Sequence, residues 1–174
     1  APAGSLNMYD FQDGYKDSFA EAGLKFDVDG AKKLLDDAGW TEGEDGIREK
    51  DGVKLEVVYP IHSDDPTIEA LAKALQQQEK AVGIDLQIEK RSPADFSTDF
   101  STKNWDAFSL RFTDSDPFGP LYFCQLYCSD SSLNLSGTGT AEIDEKIKDE
   151  VESQTTAEDW TAATMKLEPE IIKE

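Results

Sequence analysis

A single histidine, His62, two cysteines four positions apart, Cys124 and Cys128, and one arginine close to two aspartates, Arg111 with Asp114 and Asp116, are the residues on which chemistry would have to rest. No Gly-x-Ser-x-Gly turn supplies a nucleophile for His62, and its neighbour Ser63 is adjacent in sequence, where triad partners rarely are. Ser136-Gly137-Thr138-Gly139-Thr140 lacks the lysine of a phosphate loop and follows no strand pattern, so its glycines read as loop punctuation. The many acids show no calcium-loop spacing, and two cysteines are too few for a zinc site or a disulfide scaffold. No cofactor or metal is expected, and nothing argues for an enzyme. What remains is binding. Arg111 lies on a face of small residues with Ala107 and Ser109, close to Asp114, and such a cluster could orient a polar ligand. Asp116, just before Pro117, equally suits the cap of a helix.

The elements that would position these residues are legible from period and punctuation. Residues 1–26 are Gly- and Asp-rich with scattered aromatics and read as a connecting segment on the surface. Asp27 caps a helix whose apolar positions Ala31, Leu34, Leu35 and Ala38 follow helical spacing, and Gly39 stops it. Asp45-Gly46 and Asp51-Gly52 mark a short hairpin. Residues 53–59 alternate as a strand; a long helix starts at Asp64 or Asp65 with Pro66 and ends at Gly83; Ile84, Leu86 and Ile88 form a second strand. Ser92-Pro93 opens a helix with Phe96 and Phe100 on one face, and a third strand is expected over 105–112. After a short helix from Pro117 come an irregular stretch and two acidic helices. The last starts near Thr156, buries Trp160, Ala163, Leu167 and Ile171, and should kink or end early at Pro169. Strands alternating with helices imply an α/β fold with a largely parallel or mixed sheet. In such a sheet ligands bind beyond the carboxyl ends of the strands, which singles out the loops at 60–64 and 113–116.

Composition excludes partners. Acids outnumber bases 37 to 17, for a net charge of −20, which repels nucleic acid and anionic lipid. No apolar run is long enough to span a bilayer, so no direct membrane insertion is expected. The chain opens Ala1-Pro2 with no initiator Met, basic start or apolar signal core, so a processed or excised piece is expected. An ideal helix would hold the Cβ atoms of Cys124 and Cys128 about 5–6 Å apart. A disulfide needs about 3.5–4.5 Å. A bridge therefore requires the helix to end or distort before Cys128, and Ser129-Asp130-Ser131-Ser132 signals such an end.

The stretch "DVDGAKKLLDDAGW" at 27–40, followed by "DGIREKDGVKLEVVY" at 45–59, "VGIDLQIE" at 82–89 and "WDAFSLRFTDSDPFGPLYF" at 105–123, resembles the C-terminal lobe of family 5 extracellular solute-binding proteins. These are the dipeptide- and oligopeptide-binding components of ABC transporters, and the style is closest to Gram-positive actinobacterial versions. The resemblance covers nearly the whole chain from about residue 27. It implies a type II periplasmic-binding-protein-like fold, with residues 1–174 a single lobe that is only part of a two-lobed protein closing on its ligand about a hinge. In peptide-binding members a Trp ends the third strand, and an Asp three residues later pairs with the peptide amino group. Asp114 matches that Asp, whereas Arg111 replaces the Trp. His62 falls about where dipeptide binders carry a basic residue for the ligand carboxylate. The departure at Arg111 and the positional match of His62 leave the ligand open, since relatives that bind nickel chelates, haem, glutathione or sugars share this framework.

The implied function is capture of a peptide or similar small ligand outside the cytoplasm and delivery to ABC permease subunits. The protein would be a cell-surface lipoprotein in a Gram-positive organism, or periplasmic. That compartment favours an oxidised Cys124–Cys128 pair. Alternatives are a lobe that presents ligand to a signalling receptor, or an enzyme fragment whose catalytic partners lie elsewhere.

Overall fold

In the computed structural model the elements follow in chain order as helices α1 (Ser18–Glu21) and α2 (Val28–Asp37), then strands β1 (Thr41–Glu42), β2 (Arg48–Lys50), β3 (Val53–Lys54) and β4 (Glu56–Ile61). Helix α3 (Pro66–Val82), strand β5 (Asp85–Lys90) and helices α4 (Phe96–Thr102), α5 (Phe123–Tyr127), α6 (Ala141–Lys146) and α7 (Ala157–Ile171) complete the order. The structure describes residues 4–109 and 123–174. By packing, the chain divides into a unit of residues 27–111 and a unit of residues 1–26 with 112–174.

In the 27–111 unit, caps set the helix ends. The Asp27 carboxylate accepts the Gly30 N–H at 2.9 Å, and that of Asp65 accepts the Thr67 N–H at 2.8 Å with Pro66 in the first turn. α3 stops at Gly83, whose φ of 91° is left-handed. A Cβ there would also stand 2.7 Å from Cγ of Arg48, so conformation and space both demand glycine. The Arg48 side chain is 3% exposed. Its Nε donates to Val82 O and its guanidinium to Trp40 O, placing one cation against the carbonyl ends of α2 and α3.

β1, β2 and β3 form an antiparallel meander. The β2–β3 turn uses Asp51 at φ 53° and Gly52 at φ 77°, the pair of left-handed residues that a tight hairpin requires. The continuous strand expected over 53–59 is instead split at Leu55. Its N–H donates to Arg48 O in the hairpin, and its carbonyl accepts the Asp85 N–H at the start of β5. Val53 is accordingly exposed while Tyr59 is buried.

β4 and β5 pair in parallel, joined by α3, with Ile61 opposite Lys90. Tyr59, Ile61, Leu86 and the fully buried Ala72 of α3 make the core, flanked by Val57, Ile68, Leu75, Ile88 and Ala107. The strand expected over 105–112 is not a ladder strand in its described part. Along β4, Val58 O accepts both Asp106 N–H and Ala107 N–H, and the Val58 N–H donates to the Asp106 carboxylate at 2.8 Å. A side chain thus occupies the edge that a backbone ladder would use, while residues 110–112 lie outside the described residues.

In the other unit, Phe123, Cys128, Ile143, Ile147, Val151, Leu167 and Ile171 form the core. α6 is capped by Thr140 and continues into a π-helical turn over Ile147–Glu152. α7, capped by Thr156, runs through Pro169 to Ile171. Pro169 therefore does not stop it early, although it has no N–H to donate to Met165 O. Leu167 and Ile171 are buried, and Trp160 and Ala163 half-buried.

The buried residue that pattern alone would not place is Glu168, 0% exposed. Its carboxylate accepts the Ser5 hydroxyl, the N–H groups of Leu6 and Asn7, and the Asn7 amide. The segment 1–26, read from sequence as a surface connection, thus contributes Ser5–Asn7 to an interior site and a short helix, α1, whose Ser18 is fully buried. Burial, with the Glu168 charge second, pushes the Tyr127 phenol up to about 12.

Cys124 and Cys128 are joined as a disulfide, with Cα atoms 4.6 Å apart. α5 ends at Tyr127, one residue before Cys128, whose N–H still donates to Cys124 O at 2.8 Å. A thiol count on denatured, unreduced protein is expected to find neither cysteine free. Two free thiols would contradict the bridge.

Candidate functional site

The register of the parallel pair sets the site. Because Ile61 stands opposite Lys90, the next residues, His62 and Arg91, begin their loops at the same level, and the Arg91 N–H donates to Ile61 O at 2.9 Å. Both point their side chains to one carboxylate. His62 Nε2 is 2.7 Å from Asp99 Oδ2, and an Arg91 guanidinium nitrogen lies 2.9 Å from the same oxygen. Asn104 Nδ2 reaches Asp99 Oδ1 at 3.4 Å. Arg91 also pairs with Glu89 and donates to Asn104 O.

Aromatic rings wall this network. Phe96 meets the His62 ring edge-on and Phe108 meets it at a tilt, each with centroids 5.6 Å away, and Phe100 and Trp105 pack on Phe108. The His62 side chain is only 6% exposed and that of Asp99 9%. The hydrogen bond from His62 and then that from Arg91 hold the Asp99 carboxyl down at about 2, well below the usual carboxylate range. A carboxyl depressed on folding stabilises the fold above its unfolded pKa, near 3.9, and loses that contribution as pH falls through about 2. The gap in thermal midpoint between wild type and Asp99→Asn is therefore expected to shrink as pH falls from about 4 to about 2. A gap unchanged over that acid range would contradict it.

Sequence reasoning singled out His62, Arg111 and Asp114. His62 stands in the loop immediately after β4, with its ring engaged as described. Arg111, Asp114 and Asp116, like the helix expected from Pro117, lie outside the described residues. Asp99 and Arg91 were missed. The signal for Asp99 was present: it shares the face of α4 with Phe96 and Phe100, where a charge on an apolar stripe calls for a partner. Among the described residues no cluster of three metal-ligating side chains occurs, and no helix is long and apolar enough to cross a membrane.

Residues 1–134 match the model for bacterial extracellular solute-binding proteins, family 5, and the chain belongs to that family. It is 29% identical to the oligopeptide-binding protein OppA of Mycobacterium tuberculosis over 141 residues, which are 79% of this chain and 22% of that protein. Two solved structures share the fold. The periplasmic EDTA-binding protein EppA superposes with a TM-score of 0.78 at 20% identity, covering 98% of this chain and 32% of its own. The oligopeptide-binding protein AppA of Bacillus subtilis, in complex with a nonapeptide, gives 0.70 at 21% identity, covering 97% and 32%. The architecture is that of type II periplasmic binding proteins. The chain spans about a fifth of the mycobacterial relative and about a third of each solved one.

Proposed function

We propose that the full-length protein is the extracytoplasmic substrate-binding component of an ABC importer, which encloses a peptide or similar small ligand between two lobes and passes it to a membrane permease. The present chain is part of its C-terminal lobe. The observation that carries this reading is the family match over residues 1–134, supported by a mycobacterial relative named for oligopeptide binding. The protein works outside the cytoplasm, as a cell-surface lipoprotein or in the periplasm, and performs no covalent chemistry. Asp114 pairs with a ligand amine, and Arg111 with an acidic or carbonyl-rich group beside it. His62 contributes through the ring nitrogen that Asp99 does not occupy.

The test is calorimetric titration of the full-length protein with a mixed library of short peptides. Micromolar or tighter binding is expected for the full-length protein and none for the 174-residue chain alone. A single lobe supplies about half the contacts against the whole entropy cost of association. Micromolar binding by the chain alone, or no peptide binding by the full-length protein, would overturn this reading.

A further inference from the structure

We infer that Asp99 is a positioning residue of the ligand site, fixing the ring of His62 and, through Arg91 and Asn104, tying the loops at the carboxyl ends of the two parallel strands to the connection after α4. This rests on the binding function proposed above. The partners of Asp99 come from three places: His62 from the loop after β4, Arg91 from the loop after β5, and Asn104 from the connection after α4. The first two of these connections leave the carboxyl ends of the parallel strands, where an open parallel sheet takes its ligand.

Stability alone does not call for this arrangement. A buried ionic cluster is commonly no more stabilising than well-packed apolar side chains of similar volume. The α4 face offers such neighbours in Phe96 and Phe100, which stack with centroids 5.9 Å apart. What the carboxylate supplies instead is orientation. A histidine with one nitrogen held by a carboxylate has its ring plane set, and its other nitrogen is the one left to face a ligand. Phe96 and Phe108, in contact with each other at a centroid distance of 5.7 Å, pack together against the ring and restrict its movement. Arg91, paired with both Asp99 and Glu89, holds the neighbouring loop at the same level.

A double-mutant cycle in the full-length protein tests this, with the tightest member of the short-peptide library as probe and affinity measured well below the unfolding midpoint. Asp99→Asn is expected to weaken binding about tenfold in the wild-type background and less than about twofold in a His62→Gln background, since neighbours that act together are non-additive. Asp99→Glu, which keeps the charge, should recover part of the loss. Ring nitrogen signals of His62, assigned by their loss in His62→Gln, should move in Asp99→Asn. Equal losses in both backgrounds, or an unchanged affinity in Asp99→Asn, would overturn the positioning role while leaving the binding function standing. If neither Asp99→Asn, His62→Gln nor Asp114→Ala changed affinity, the location of the site and the positioning role would fall together.

Discussion

Asp114→Ala in the full-length protein is expected to weaken ligand binding roughly ten- to a hundredfold, because a charge-assisted contact removed from water is worth on the order of 1.5–3 kcal/mol. The expectation follows from the pairing of Asp114 with a ligand amine proposed above, which rests on its resemblance in sequence to the amine-binding Asp of peptide-binding members. Arg111→Ala should weaken binding as well, and most for ligands with an acidic or carbonyl-rich group. Asp116 is the control in the same stretch of sequence. As the residue before Pro117 it suits a helix start, so Asp116→Ala should cost stability of about 1 kcal/mol with little change in affinity. Ligand titration and thermal unfolding of the three variants side by side separate these roles. Loss of binding in Asp116→Ala with Asp114→Ala intact would show that the site is assigned to the wrong aspartate.

The largest effect on stability is expected at Glu168. Its carboxylate gathers a hydroxyl, two backbone N–H groups and an amide from Ser5–Asn7 in a fully buried position. Glu168→Ala leaves those donors facing a cavity, and a single unsatisfied buried group costs about 1–3 kcal/mol. A loss of about 3 kcal/mol is expected, allowing for donors that regain water as residues 5–7 lift away. Glu168→Gln keeps one acceptor oxygen and should lose about a third as much. Urea unfolding gives the stability, and amide exchange at residues 5–8 should quicken in Glu168→Ala. A loss below about 1 kcal/mol in Glu168→Ala would mean that the N-terminal segment is held by something other than this carboxylate.

How much of this was legible depended on whether the information was local. Helices α2 and α3 were readable because their starts and stops are written in single residues: Asp27 and Asp65 as caps, Gly39 and Gly83 as left-handed ends. The hairpin was readable from Asp51-Gly52 for the same reason. The division of one apparent strand at Leu55 was not, because Val53 continues the alternation of Val57 and Tyr59, and only the long-range bonds to Arg48 and Asp85 reveal the change of sheet. A third strand was expected from the apolar alternation after Trp105. The Asp106 side chain, bonding Val58, takes the place of the ladder there, and period says nothing of such a substitution.

The site divides in the same way. His62 was found from its place after a strand, a local cue. Its burial against Asp99 depended on α4, 37 positions further along the chain, folding back over the loop. Glu168 was hidden by the acidity of its helix, where one more carboxylate looks like solvent-facing charge until Ser5–Asn7, some 160 positions away, are brought against it. A charged residue flanked by apolar ones at helical spacing is the cue both cases share: Asp99 beside Phe96 and Phe100, and Glu168 beside Met165 and Ile171.

Native mass spectrometry of the full-length protein, purified from its own host without added ligand, tests the central claim most directly. A two-lobed binding protein that encloses its ligand should carry peptide masses that are lost together when the protein is unfolded. Release of a metal chelate, haem or sugar in their place would contradict a peptide ligand, and turnover of an added peptide into products would contradict a binding protein altogether.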